Sequence, residues 1–359
     1  MPEAVLALNA GSSSIKYALF EVGVAGRPGL LSKGQMETGG GADVAALDWL
    51  LEWSEAHLGV DTLAAVGHRV VRGGRDFTAP VRLTPAVVDA LDRLTPLAPL
   101  HQPHSLKPIR ALMALRPTLL QVACFDTSFH HTMPTVATHF ALPRRFEDEG
   151  IRRYGFHGLS YEYIARTLRE TLPHLASGRI IVAHLGNGAS LCAMRDGRSI
   201  DTTMGFTALD GLVMGTRCGT LDAGVVLHLM QDHGLSAAEV QHLLYDDSGL
   251  LGVSGLSSDM RILLGSPDPA AKEAGELFVF RIARETAALA ASMGGLDGFV
   301  FTAGIGEHAA EIRTMVCERL HWLGVAADGT GPASVHVIPT DEEMMIAMHT
   351  LECLQGQEA

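Results

Sequence analysis

The sequence predicts an α/β protein built from two related halves, and three observations lead there. At 359 residues and 47% hydrophobic content, the chain exceeds the size at which one core usually divides, so two domains are the default. Strand-like and helix-like segments alternate along its length. One local pattern, an apolar strand, a small polar turn and a second apolar strand, occurs near the start and again about half a chain later. Self-similarity at that distance indicates related halves rather than a solenoid, whose repeats run ~20–50 residues.

The first copy of the pattern begins with Val5 to Leu8, a buried strand, and ends with Tyr17 to Phe20, a second one. Between them lies Asn9-Ala10-Gly11-Ser12-Ser13-Ser14-Ile15-Lys16. Small residues let backbone amides and hydroxyls point inward, where they can donate to phosphate oxygens, and Lys16 adds a point charge. Asn9, at the strand end, offers a carbonyl oxygen to a magnesium ion or its water shell. An ordinary β-hairpin with a polar turn accounts for the segment equally well when it is read alone.

Val66 to Val71 follows as a strand, Pro85 to Leu94 and Leu106 to Leu115 as helices, and Leu119 to Phe125 as a further strand ending at Asp126. The second copy of the pattern is Ile180 to Ala183, the turn His184-Leu185-Gly186-Asn187-Gly188-Ala189-Ser190, and Leu191 to Met194. Two such turns would grip a polyphosphate from both sides, although two unrelated hairpins give the same pattern. Leu221 to Leu244 and Ala270 to Met293 read as mostly helical. Leu296 to Phe301 is strand-like and runs into Thr302-Ala303-Gly304-Ile305-Gly306-Glu307-His308, with a helix over Ala309 to Leu320 that places Ile312, Met315, Val316 and Leu320 on one face. Strand, glycine turn and helix start together suit close backbone approach to a nucleotide. The spacing matches neither GxGxxG nor GxxxxGK[ST].

Composition excludes several classes. With 27 basic against 40 acidic residues, the formal charge of −13 argues against a nucleic-acid partner, which would need a basic face. Cys124, Cys192, Cys218, Cys317 and Cys353 are odd in number and widely spaced with no CxxC, so reduced thiols are expected rather than a disulfide frame or structural zinc. The N-terminus lacks the shape of a signal peptide, and no apolar run approaches the ~20 residues that span a bilayer. A cytoplasmic enzyme without a membrane partner is the expectation.

Arg69 sits on or just after a strand, and Arg217 lies in the Gly-flanked loop 214–219; either guanidinium can hold a carboxylate or phosphoryl group in a fork. Arg72, Arg75, Arg144, Arg145 and Arg152 are read as surface ion-pair partners. His157, framed by Gly155-Phe156 and Gly158, can donate a ring N–H to a phosphoryl oxygen. Asp126, at a strand end, occupies the usual place of an active-site carboxylate in an open α/β sheet. His101, His104, His130 and His184 lack HExxH spacing, and Pro103 is expected to interrupt any helix placing His101 and His104 on one face, which disfavours zinc.

The runs NAGSSSIK (9–16), GHRVVRGG (67–74), PLAPLHQPH (96–104), FDTSFHHTMP (125–134), RRYGFHGLS (152–160), HLGNGAS (184–190), DTTMGFTALDGLVMGTRCG (201–219), FTAGIGEH (301–308) and IPTDEE (338–343) fall in order along nearly the whole chain. Together they closely resemble the acetate kinase family, in the superfamily of sugar kinases, heat-shock chaperone ATPases and actin. The resemblance implies two actin-like ATPase domains, each a mixed β-sheet flanked by helices, with the active site in the cleft between them. It sets the boundaries at 1–130 plus 344–359 and at 131–343. It also implies direct, reversible phosphoryl transfer from ATP to acetate, giving acetyl phosphate and ADP with magnesium or manganese, in a homodimer.

Carried over residue by residue, the resemblance makes Asp126, His157 and Arg217 catalytic. Arg69 binds the acid, with Val71, Leu100 and Phe156 lining an aliphatic pocket. ATP falls to Ser12, Ser14, Lys16, His184, Leu185, Gly186, Asn187, Gly188, Asp259, Met260, Arg261, Gly304, Ile305, Gly306, Glu307 and His308, and the metal to Asn9 and Glu342. Glu343 is read as an acidic residue complementing a helix dipole. Four positions depart from the family pattern: Ala208 for Pro in the pocket wall, His308 and Asp341 for Asn, and Tyr161 for a second histidine. The segment after Phe20 is also short for the family. Alternatives are a propionate kinase of the same family and, in another class, an actin-like ATP-binding assembly module.

Overall fold

The computed structural model describes residues 3–11, 14–23, 27–37, 44–58, 62–98 and 101–356. Two compact units emerge, one made of Met1–His131, Gly158–Tyr163 and Asp341–Ala359, the other of Thr132–His157 and Ile164–Thr340.

The first unit holds a mixed sheet of β1 (Glu3–Ala10), β2 (Ser14–Val22), β3 (Pro28–Glu37), β4 (Thr62–Val70), β5 (Val81–Arg82) and β6 (Leu120–Phe125), in the order β3-β2-β1-β4-β6-β5. β1, β2 and β3 form an antiparallel meander, while β4 joins β1, and β6 joins β4, in parallel. Alternate side chains of β1 enter opposite layers, as strand geometry requires. Leu6 and Leu8 pack with Leu47, Leu50 and Leu51 of the Val44–Leu58 helix, whereas Val5 and Ala7 pack with Met345, Ile346 and Ala347 of the Glu342–Leu354 helix. Gly67 on β4 permits the second contact: a Cβ there would lie 2.1 Å from Thr350 Oγ1 and 2.5 Å from Ile346 Cγ2. The sheet thus holds the start of the Glu342–Leu354 helix near the end of β1.

The second unit repeats the plan with β7 (Arg179–Leu185), β8 (Ala189–Arg195), β9 (Arg198–Thr202), β10 (Gly298–Thr302) and β11 (Ser334–Val337), in the order β11-β10-β7-β8-β9. Again a three-stranded meander is extended in parallel from its first strand, by β10 and then β11. The two turns that resemble each other in sequence occupy the same topological place, β1–β2 and β7–β8. Fold class and duplicated architecture are therefore as expected.

Local expectations needed four corrections. The helix foreseen from Leu106 starts at Gln102, because Pro103 stands in its first turn, where a missing N–H costs nothing; His104 is helical and His101 is its N-cap. The Leu221–Leu244 segment is two helices, Ala223–Gln231 and Ala237–Asp246, divided where Ser236 and Glu239 form a reciprocal capping box. The glycine turn after β10 is itself helical over Ala303–His308. Arg72 is no surface residue: it is fully buried, and its Nη1 donates to the Leu97 carbonyl.

Candidate active site

In the first unit, Arg69 near the end of β4 and Asp126 just beyond β6 come together. Their strands pair in parallel with Arg69 opposite Cys124, and the Asp126 amide donates to Val70 O at 3.1 Å. Arg69 donates from Nε (2.9 Å) and Nη2 (2.5 Å) to Asp126 Oδ2, and its Nη1 lies 3.4 Å from Asn9 Oδ1. Asn9 in turn donates from Nδ2 to Glu342 Oε2 at 2.9 Å and Glu343 Oε1 at 3.0 Å. One arginine, one amide and three carboxylates thus form a continuous polar cluster at the ends of β1, β4 and β6.

The charges of this cluster are mutually tuned. Burial opposes the charge on Arg69, but Asp126, then Glu342 and Glu343, outweigh it and hold the guanidinium above its ordinary value. Burial pushes the Asp126 carboxyl up, against the pull of Arg69, and Glu342 pushes it further up. Glu343 is also pushed up, first by burial and then by Glu342, against weaker opposition from Asn9 and Lys16. Among the described residues, Asp126 Oδ1 is buried with no hydrogen-bond partner, a cost that a cation or a bound water would relieve.

A helix dipole does not account for Glu343, which shares Asn9 with Glu342. The signal was present in the run of three acidic residues at 341–343, of which Asp341 caps the helix by accepting from Met344 N at 2.8 Å. Val71 is buried in this unit, Ser14 stands at the start of β2 and Lys16 is exposed on that strand. Ser12 and Leu100 lie outside the described residues.

The second unit gathers the other group of expected residues. His157 caps the Gly158–Thr171 helix in a left-handed conformation (φ 60°), and its ring stacks on His184 with centroids 4.1 Å apart and planes at 21°. Arg217 donates from Nη1 to Ala208 O at 2.6 Å. Its loop is pinned to the β7–β8 turn, since Gly215 N donates to Asn187 O at 2.9 Å and Met214 N to Arg217 O at 3.1 Å. Gly188 is required where these pieces meet: a Cβ there would lie 2.8 Å from Arg217 Nη2 and 3.2 Å from His157 Nε2. His184, Leu185, Gly186, Asn187 and Gly188 therefore form one wall around His157 and Arg217, and Phe156 is buried beside them in sequence.

The remaining nucleotide candidates fall in two places. Asp259 caps the short Met260–Leu264 helix and holds Arg261, whose side chain is exposed, while Met260 is buried. Gly304 is exposed and Gly306 buried in the Ala303–His308 helix. Arg313 Nη1 donates to the carbonyls of Gly306 (3.0 Å) and Glu307 (2.8 Å), and Glu307 Oε1 accepts from Thr340 N at 3.2 Å. The departures at His308 and Tyr161 differ in setting. His308 is exposed, whereas Tyr161 is fully buried edge-on to His130 at 5.6 Å.

Residues 32–348 match the model of the acetokinase family. The chain belongs to that family. It is 51% identical to the acetate kinase of Rhodopseudomonas palustris strain TIE-1, over 99% of this chain and all of that protein. With the acetate kinase of Rickettsia felis it shares 40% identity, over 99% of this chain and all of that one. The crystal structure of Porphyromonas gingivalis acetate kinase superposes with a TM-score of 0.86 at 35% identity, covering 98% of this chain and 100% of that one. A propionate kinase from Francisella tularensis gives the same TM-score and identity, over 97% and 99% of the two chains. Family membership also accounts for the duplicated plan of the two sheets. Among the described residues, no helix is long and apolar enough to cross a membrane.

Proposed function

We propose that this acetokinase-family chain is an acetate kinase: a carboxylate oxygen of acetate attacks the γ-phosphorus of ATP, and the β–γ bridging bond breaks with its electron pair leaving on ADP. The observation that carries this reading is the pair of arginine clusters, Arg69 with Asp126 and Asn9 in one unit, and Arg217 with His157 in the other. An actin-like module that only binds ATP has no need of the first.

Acetate titrates near ~4–5 and is ionised at neutral pH, so the reaction requires no general base. Asp126 has a different part to play. Fully buried against Arg69, it fixes the guanidinium that holds the acid. Arg217 and His157 donate to the phosphoryl oxygens, where charge resides in a loose transition state. His184 to Gly188 supply the backbone wall on which the phosphates lie; by the family resemblance, Ser12, Ser14, Lys16, Asp259 to Arg261 and Gly304 to His308 also serve the nucleotide. By the family resemblance, the methyl group of the acid falls to Val71, Leu100 and Phe156.

Asn9, Glu342, Glu343 and the unpartnered Asp126 Oδ1 make a hard-oxygen donor set that suits Mg2+ or Mn2+, which bind through one or two carboxylates, waters and substrate phosphates. When bound, the ion supplies charge neutralisation at the phosphates. The protein works as a cytoplasmic homodimer. The Ala223–Gln231 helix supports the dimer, since Val225 (40% exposed), Leu227 (55%) and Met230 (39%) leave an apolar helix with none of its residues buried, as a second copy would require.

The test is formation of acyl phosphate, trapped as hydroxamate, with ATP and Mg2+ across formate, acetate, propionate and butyrate. Acetate is expected to give the highest kcat/KM. A propionate preference is the second reading, favoured by Ala208 in place of the usual proline. ATP hydrolysis indifferent to every acid would overturn both.

A further inference from the structure

Ser190, on β8, belongs to none of the roles assigned above, yet its side chain is fully buried with Oγ 2.8 Å from His157 Nδ1. The imidazole is thereby held on one edge by Ser190 and on one face by the stacked ring of His184. At its opposite edge lies Gly188, where a Cβ would come within 3.2 Å of Nε2 and 2.8 Å of Arg217 Nη2. His157 itself sits on left-handed backbone (φ 60°), a conformation that most non-glycine residues disfavour.

We propose that Ser190 is a positioning residue for His157: its hydroxyl donates to Nδ1, places the imidazole proton on Nε2 and aims that N–H at the phosphoryl oxygen held by Arg217. The inference rests on the proposed role of His157 in phosphoryl transfer. With Nδ1 engaged as acceptor, Nε2 carries the proton without the imidazolium form. The hydroxyl costs nothing at the moment of reaction, because the bond exists before substrate arrives.

The experiment is a double-mutant cycle of Ser190→Ala and His157→Ala, read as kcat and KM for acetate, together with long-range 1H–15N spectra of histidine-labelled protein. Ser190→Ala removes one buried oxygen and should fold. It should lower kcat roughly tenfold, the loss of one oriented hydrogen bond, with KM for acetate unchanged. In the His157→Ala background the same substitution should have no further effect. The wild-type spectrum should show His157 with Nε2 protonated and Nδ1 accepting, and Ser190→Ala should average the two nitrogens. An equal loss from Ser190→Ala in both backgrounds would make Ser190 merely structural and overturn the inference. A slow His157→Ala enzyme beside an unimpaired Ser190→Ala enzyme overturns the inference alone. Wild-type turnover in His157→Ala overturns the role of His157 and the inference with it.

Discussion

Arg69 places both its Nε and Nη2 donors on a single oxygen of Asp126, Oδ2, and leaves the buried Oδ1 of the same carboxylate with no partner among the described residues. A side-on fork would have used both oxygens. The one-oxygen arrangement commits the Nε–Nη2 edge of the guanidinium to Asp126, while Nη1 donates to Asn9 Oδ1 at 3.4 Å and has a second N–H for the proposed acid site.

Removing Arg69 should therefore do two separable things. Arg69→Ala should raise KM for acetate strongly, and it should also strand a buried carboxylate, at a cost on the order of 3–5 kcal/mol. Adding Asp126→Asn removes the stranded charge, so most of the stability should return while acetate binding does not. Thermal melts and acetate kinetics of the two proteins check this. A double variant no more stable than Arg69→Ala would show that the pair is not coupled as described.

Arg217 should respond differently. Its Nη1 donates to the Ala208 carbonyl, and Nη2 lies beside Gly188, on the side where the phosphoryl group is proposed to bind. A lysine ammonium cannot reach both at once, so Arg217→Lys should lower kcat by about 10²-fold with little change in KM for acetate. A change confined to KM would place Arg217 on the acid instead.

Glu342 and Glu343 share the Asn9 amide but not the same electrostatic reach. Glu342 acts on both Asp126 and Arg69, whereas Glu343 acts on Arg69 more weakly and is itself pushed toward protonation by burial and by Glu342. Glu342→Ala should raise the Mg2+ concentration for half-maximal rate several-fold (about 1 kcal/mol) and Glu343→Ala by less. A titration in which only Glu343→Ala shifts would reverse the assignment.

Much of this site was legible in the sequence because its chemistry lies at strand ends. Asn9 and Asp126 follow apolar runs that can only be buried strands, and Gly188 lies in a small-residue turn between two such runs. What one dimension hides is lateral contact. Nothing in the apolar run after Gly188 marks Ser190 as the partner of His157, and nothing beside Arg69 distinguishes Arg72, fully buried, from an arginine in solvent. Pro103 misled for a related reason: a proline breaks a helix in its interior but begins one in its first turn, and the sequence alone does not say which turn it occupies.

Ala208 gives its carbonyl to Arg217 Nη1 and, by family resemblance, stands at the proposed pocket wall, which would link substrate choice to that arginine. Proline at 208 keeps that carbonyl and stiffens the backbone behind it. Ala208→Pro should sharpen the preference for acetate over propionate, and Val71→Ala should erode it, each within the ~1–3 kcal/mol that one methylene is worth. The ratio of kcat/KM values in the three proteins decides. A ratio unmoved by both substitutions would remove this wall from the pocket.

Stability should fall on the alkaline side because of His349. Buried on the Glu342–Leu354 helix, it meets Glu162 through Nε2 at 2.9 Å and Glu352 through Nδ1 at 3.3 Å. Burial alone would push its pKa down, but the two carboxylates outweigh that and raise it from 6.5 to about 9. The folded state therefore holds a proton that the unfolded chain releases above pH 6.5. The stabilisation is fully present below pH 6.5, declines as pH rises toward 9 and is gone above it. It amounts to ~3 kcal/mol at most for a shift of this size. Urea midpoints from pH 6 to 9.5 should fall more steeply in the wild type than in a His349→Gln, Glu162→Gln double variant, which keeps a neutral contact between the same two helices. Parallel curves would mean that His349 does not carry this proton.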